Sequence, residues 1–331
     1  MPTKRKPRKS QTNHVDLYQQ VTDRIVGSIE RGVLPWRKPW RKPWRDSQRS
    51  SESPIPSNAA THRHYNGVNI MLLWLSAEEQ GFQSNRWLTW KQAQALGGHV
   101  RKGEKSTIAV FFKPFEVEST DKAGQKRVNA QGETVMEQRI MLRSIPLFNV
   151  QQCDDLPESF SVPTVALDYQ EDDELDADTH GQMIEILNAT GVKITSLEQY
   201  RAYYNSAADR IVLPKTSQFF TSADYWSTLL HELVHSSGHH KRLNREGITS
   251  TTRKFGDPTY AFEELIAELG SAFLCAQLGV YGEVQHDSYI DHWLKILKSD
   301  KKALFRACRQ AREASEYLLQ PLGEQVEEDA A

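Results

Sequence analysis

Apolar residues recur at every fourth position between Asp16 and Gly32, at Leu17, Val21, Ile25 and Ile29, which predicts an amphipathic helix with one buried stripe and Gly32 as its stop. Val68 to Ala77 is apolar on all sides and predicts a helix inside the fold, entered through a turn at Tyr65-Asn66-Gly67; a second helix starts at Thr89. Thr107 to Phe112 and Ile140 to Val150 predict two strands of a hairpin whose long tip, Ser119 to Glu137, is polar. Further on, the pattern gives a helix from Gly181 to Leu187, a strand at Val192-Lys193-Ile194 and a hairpin over Arg201 to Pro214, with its second strand at Arg210 to Leu213. That strand precedes a helix through Tyr225 to His235, capped by Ser222 or Asp224, and offers either an edge for an extended substrate or the last strand of a small sheet. Helices over Tyr260 to Phe273, Ser288 to Leu297 and Lys301 to Leu319 complete the pattern. This mixed order, over 331 residues, predicts an α+β protein with two domains. The expected boundaries are a disordered basic tail at 1–15, domains at 16–155 and 181–320, an acidic linker at 156–180 and an acidic tail at 321–331.

Charge separates the two halves. Residues 1–120 carry 20 Lys and Arg against 10 Asp and Glu, whereas residues 121–331 carry 21 against 33. A basic half points to a polyanionic partner that does not cover the acidic half. The acidic run Asp168 to Asp178 has little to bury and reads as a solvated linker. Six of the eight tryptophans lie in the basic half, three of them in the tandem repeat Pro35-Trp36-Arg37-Lys38-Pro39-Trp40-Arg41-Lys42-Pro43-Trp44-Arg45. Proline at every fourth position forbids a continuous helix, and rings alternating with cations suit unpaired bases and phosphates, so the expected partner is a single-stranded nucleic acid. The candidate contacts are Trp36, Arg37, Lys38, Trp40, Arg41, Trp44 and Arg45, with Tyr65, Lys91, Arg101, Lys102 and Lys105 further along. Three unevenly spaced cysteines, Cys153, Cys275 and Cys308, fit reduced thiols, and no apolar run is long enough for a membrane span; a cytoplasmic location and no membrane partner are expected.

The chemistry concentrates at His231-Glu232-Leu233-Val234-His235. On a helix, positions four apart share a face, so both imidazoles can hold one metal ion while Glu232 reaches its open side, the H-E-x-x-H arrangement of zinc-dependent peptidases. A catalytic zinc ion needs a third protein ligand. Lys241 stands ten residues after His231, which rules out a third histidine at that spacing; His239 and His240 are close, but the chain would have to double back. Glu264, four residues before Glu268 on an otherwise apolar helix, is the best third ligand, with Glu263 available if that helix is rotated. Glu268 then serves the second N–H of a ligand histidine. Glu232 is the expected general base for peptide hydrolysis, and Tyr203, Tyr204, His239 and His240 are candidates to stabilise the oxyanion.

Pro35-Trp36 with its cations, Asn58 and Thr61 before Tyr65-Asn66-Gly67-Val68-Asn69, Trp87-Leu88-Thr89-Trp90-Lys91-Gln92-Ala93, and Gly103-Glu104-Lys105 before a Phe-rich strand together resemble the N-terminal domain of ArdC-type antirestriction proteins. A similar domain occurs in some plasmid conjugative primases. The pair Glu264 and Glu268 resembles the gluzincins and the C-terminal metallopeptidase domain of the same ArdC-type family. The resemblance implies an N-terminal single-stranded-DNA-binding domain and a C-terminal zincin-like domain with a small sheet, metal-binding helices and Zn2+ or another divalent metal. It further implies protection of DNA entering a recipient bacterium during conjugation, with host restriction enzymes or another protein as substrate. Two other readings fit the same architecture: a DNA-coating protein with a structural metal, and a protease acting on proteins crosslinked to DNA.

Overall fold

The structure, a computed structural model, describes residues 16–37, 53–121, 125–129, 131–160, 177–250, 258–280, 282 and 289–323. The tail at 1–15, the repeat from Lys38 to Arg45 with Trp40, Arg41 and Trp44, the greater part of the acidic run, and residues 324–331 lie outside them.

The first helix, α1 (Leu17–Glu30), follows the four-residue stripe, and the Asp16 carboxylate caps it by accepting from the backbone N–H groups of Tyr18 and Gln19. The N-terminal half continues as β1 (Ser57–Asn58), α2 (Val68–Gln80), β2 (Arg86–Leu88), α3 (Trp90–Ala95), β3 (His99–Val100), β4 (Thr107–Glu118), β5 (Met136–Asn149) and β6 (Cys153–Asp154). Thr89, where the sequence places a helix start, forms a capping box with Gln92 at the head of α3. One sheet has the order β1-β2-β5-β4, and β3 pairs with β6. β4 and β5 run antiparallel from Thr107 opposite Leu147 to Glu118 opposite Met136. The hairpin is therefore longer than the apolar pattern predicts. Its outer half is largely exposed, and main-chain pairing carries it past the point where the hydrophobic signal ends.

The C-terminal half comprises α4 (Ala177–Thr190), β7 (Lys193–Leu197), β8 (Tyr203–Asn205), β9 (Arg210–Pro214), α5 (Ser222–Ser237), α6 (Glu246–Thr249), α7 (Pro258–Leu278), α8 (Ile290–Ser299) and α9 (Ala303–Leu319). Its sheet has the order β7-β9-β8, with β9 parallel to β7 and antiparallel to β8. The strand Arg210–Pro214 is thus central, and the expectation that it offers a free edge is corrected: both its sides are already hydrogen-bonded, and the edges are β7 and β8. The cap of α5 is Thr221, whose hydroxyl accepts from the Asp224 N–H, rather than Ser222 or Asp224.

Helices α5, α7 and α9 pack on one another. A Cβ on Gly270 would stand 2.9 Å from Cγ1 of Val234, so the bare glycine is what lets α7 approach α5 closely. The two domains share one apolar core, running from Val21, Trp36 and Trp74 through Leu233 and Leu265 to Trp293 and Leu318. Across the joint, Tyr18 meets Phe305 edge-on at 4.8 Å and the Thr22 hydroxyl donates to the Lys301 carbonyl at 2.9 Å. No helix among the described residues is long and apolar enough to cross a membrane.

Candidate metal centre

Three side chains converge between α5 and α7. His231 and His235 stand one turn apart on the buried face of α5 with ring centroids 4.8 Å apart, and Glu264 reaches them from α7. The Nε2 atoms of His231 and His235 lie 3.6 and 3.5 Å from the two oxygens of Glu264. Among the described residues this trio is the group of histidine, cysteine and carboxylate side chains whose donor atoms could share one ion, all within 4.8 Å of one another. Two imidazoles and a carboxylate with donor atoms this close fit a divalent cation. Glu232 is 4 % exposed beside them, on the same turn.

Each histidine is backed by a carboxylate, and each carboxylate by an arginine. His235 Nδ1 faces Glu263 at 3.3 Å, and Arg245 donates to both Glu263 oxygens, through Nη2 at 2.6 Å and Nε at 3.2 Å. His231 Nδ1 lies 3.8 Å from Glu268, and Arg37 Nε donates to the other Glu268 oxygen at 3.1 Å. Glu263 is therefore held by Arg245 on the Nδ1 side of His235 and lies outside the trio. Glu268 stands on the Nδ1 side of His231. Paired in this way, carboxylates that would be costly to bury alone become supports that fix the imidazole orientation.

His239 and His240 stay out of the trio. His239 turns toward Asp209, with Nδ1 3.7 Å from the carboxylate, and packs against His240 at 4.0 Å. Tyr204 is committed as well, donating its hydroxyl to Asp209 at 2.7 Å and accepting from Arg242 at 3.1 Å. The phenols beside the trio are Tyr260 and Tyr289, neither of which stands out in the sequence. Tyr260 is within hydrogen-bond reach of Glu264, and the Tyr289 hydroxyl donates to that of Tyr260 at 3.4 Å. Burial and then the Glu264 charge push the Tyr260 pKa up; burial also raises that of Tyr289, so both remain neutral donors. Tyr260 stands one turn before Glu264, a spacing that does not by itself single it out; Arg245 carried no signal either, because only the return of α6 brings it beneath Glu263.

Burial by itself would lower the His235 pKa, but the Glu264 charge and the hydrogen bonds to Glu263 and Glu264 outweigh it and raise the imidazole to about 10. The same contacts hold Glu264 below the usual carboxylate range against its own burial. At neutral pH a cation must therefore displace one proton from His235. Apparent metal affinity is expected to climb about tenfold per pH unit from near neutrality toward pH 10, since each proton displaced costs ~1.4 kcal/mol per unit. Competition titrations with a chelator across this range check the slope; a flat profile would show that His235 carries no proton to displace.

Several nucleic-acid expectations need correction. Trp36 is 3 % exposed and meets Trp293 edge-on at 5.9 Å, so its ring fills the joint between the domains and is closed to a base. Arg37 is held by Glu268. Arg101 donates to Glu104, Asp154 and the Gln151 carbonyl, so its guanidinium closes the turn before β4. Lys91, Lys102 and Lys105 are exposed, and Tyr65 is half-buried, its hydroxyl accepting from Asn58 at 3.3 Å.

Two histidines one turn apart on α5 and a glutamate from α7 are the arrangement of a zincin-like metallopeptidase fold, and residues 182–310 match that family. Residues 15–148 match the N-terminal domain of the anti-restriction factor ArdC. The metal-free crystal structure of the antirestriction protein ArdC from the R388 plasmid is 36 % identical, covers 93 % of this chain and 98 % of its own, and superposes with a TM-score of 0.72. Its Mn(II)-bound structure aligns with a TM-score of 0.70 at 35 % identity, over 93 % of this chain and 99 % of its own. The chain belongs to the ArdC-type antirestriction family. A DNA primase TraC of Escherichia coli is 33 % identical over 317 residues, 94 % of this chain but 20 % of its own length; the match to another is 33 % over 321 residues, again 94 % of this chain and 28 % of the primase. The chain thus spans a fifth to somewhat over a quarter of these primases. The uncharacterized protein y4eC of Sinorhizobium fredii (strain NBRC 101917 / NGR234) is 31 % identical over 92 % of this chain and 91 % of its own.

Proposed function

We propose that this protein is an antirestriction factor that binds single-stranded DNA, protects incoming DNA during conjugation and carries a zinc-dependent peptidase centre. The observation that carries the catalytic part is the convergence of His231, His235 and Glu264 within 4.8 Å, with Glu232 buried beside them. The likeness to an antirestriction protein over nearly the whole of both chains supports the biological role, and that protein's Mn(II)-bound form supports a divalent ion in the same fold.

In this reading His231, His235 and Glu264 hold the ion, while Arg37 and Arg245 keep Glu268 and Glu263 in place behind the imidazoles. A bound divalent ion supplies Lewis acidity to a water and to a substrate carbonyl. Glu232 takes the proton of the attacking water and passes it to the leaving amine. Tyr260 and Tyr289 supply neutral hydroxyls for the oxyanion. The β8 edge, at Tyr203 to Asn205, offers main-chain hydrogen bonds to an extended peptide.

The test is transfer of an unmodified plasmid into a restricting host with and without the protein. Expression should raise the yield of transferred plasmid in the restricting host and leave a non-restricting host unaffected. Equal yields in the restricting host would overturn the antirestriction role.

A further inference from the structure

On the far side of α9 from the metal helices lies a groove of about 590 Å³, within the ~300–1,000 Å³ range of built ligand sites. One wall comes from the N-terminal domain, with Tyr65, Phe111 and Phe112; the other is α9 and the residue before it, in the acidic half of the chain. Lys302, Arg306, Arg309 and Arg312 line that second wall. They follow one another at intervals of four, three and three, so they share one face of the helix, while Leu304, Ala307, Cys308, Ala311 and Leu318 are buried on the other.

Among the described residues, four Lys and Arg side chains and no carboxylate line this groove. Arg306 is paired with Asp300 at 2.8 Å, Arg309 with Glu313 at 3.8 Å and Arg312 with Glu316 at 3.5 Å, but none of these acids lines the groove. Opposite them, Phe111 and Phe112 are 40 and 48 % exposed although each has a large apolar ring. Their position is fixed: the Asn69 side chain both donates to and accepts from the Val110 backbone at 2.8 Å, pinning β4 beside the turn at Tyr65 to Gly67. Phe111 and Phe112 are consecutive on β4, so their rings leave the strand on opposite faces, and both residues line the groove across from the cations. Exposed rings beside a row of cations match a strand whose bases are unpaired and whose phosphates run alongside. A duplex hides the faces of its bases and leaves the rings uncovered.

We infer that this groove is a binding site for single-stranded DNA, with bases stacked on the exposed aromatic side chains at the β4 edge and phosphates held by the α9 cations. The inference rests on the single-stranded-DNA reading above and deepens it, because it adds a wall from the metallopeptidase domain to a function expected of the N-terminal one. It also puts the strand on the helix that packs against both metal-centre helices.

The test uses the full-length protein, a labelled oligothymidine and the matching duplex, titrated at two salt concentrations. The double variant Arg309→Glu/Arg312→Glu should bind the single strand at least tenfold more weakly and with a shallower salt dependence, by about 0.7 in log–log slope for each phosphate no longer neutralised. Phe112→Ala should lose roughly fivefold or more. If the wild type binds and both variants, melting as it does, bind equally well, the groove is wrong and the single-stranded-DNA reading stands. If the wild type does not bind, that reading itself fails. Equal losses for the duplex would overturn the choice of an unpaired strand. Ultraviolet crosslinking of the wild type to the oligothymidine, mapped by mass spectrometry, needs no variant to fold: adducts on Tyr65, Phe111 or Phe112 support the site, and adducts confined elsewhere overturn it.

Discussion

Glu232→Gln is expected to cut peptide hydrolysis by about 10²- to 10⁴-fold while one divalent ion per chain remains bound. Glutamine keeps the shape of a side chain that is 4 % exposed and sits on the same helix as the two ligand histidines, so the imidazoles and Glu264 stay where they are. What it removes is the ability to accept a proton from water at neutral pH. Cleavage of labelled casein, metal analysis of the same preparation and plasmid transfer into a restricting host read the three consequences separately. Wild-type cleavage by the variant would show that Glu232 is not the base. Lost cleavage with undiminished protection would show that the protein acts by coating DNA and that its metal serves the fold. The substitution therefore separates the two roles that one architecture can serve.

Trp36→Ala is expected to destabilise the protein by about 3–5 kcal/mol, the usual cost of removing a large aromatic ring from a packed interior. At ~2–4 °C per kcal/mol for a chain of this size class, the melting temperature should fall by roughly 10 °C. The ring lies against Trp293, itself fully buried, which donates its indole N–H to the Ala261 carbonyl at the start of α7 and stacks on Tyr289. The Trp36 indole N–H has no hydrogen-bond partner among the described residues, so packing alone holds it. Single-stranded-DNA affinity, measured well below the transition, is expected to stay at the wild-type value. A drop in affinity with an unchanged melting temperature would mean that this ring contacts DNA after all.

The same tryptophan shows how far local sequence reaches. In the chain, Trp36 is the first of three equivalent rings in a repeat, and nothing local distinguishes it from Trp40 or Trp44. Its role follows from where α1 ends: the turn after Gly32 carries Pro35 and Trp36 into the gap between α1 and α8, where Trp293 is waiting. Arg37 then faces Glu268, 231 residues away, and a cation that looks like a phosphate contact becomes a support for His231. The basic stripe on α9 was equally hidden. Its four cations are periodic, but they sit in a half of the chain with an excess of acids, and only the arrival of β4 sets two exposed phenylalanines across the groove from them.

Short-range periodicity determined what could be read directly: the stripe of α1, the start of α3 at Thr89, the β4–β5 pairing, the shared helical face of His231 and His235, and that of Glu264 and Glu268. These are consequences of 3.6- and 2-residue repeats, which the backbone imposes wherever the segment ends up. Tertiary structure alone decided which strand is an edge, that Glu264 and not Glu263 meets both histidines, that Arg245 and Arg37 stand behind the two carboxylates, and that Trp36 is interior. Each of these depends on the rotation and separation of elements that are distant in the chain. Those are set by packing, by one missing Cβ at Gly270 as much as by any charged group, and no local pattern encodes them.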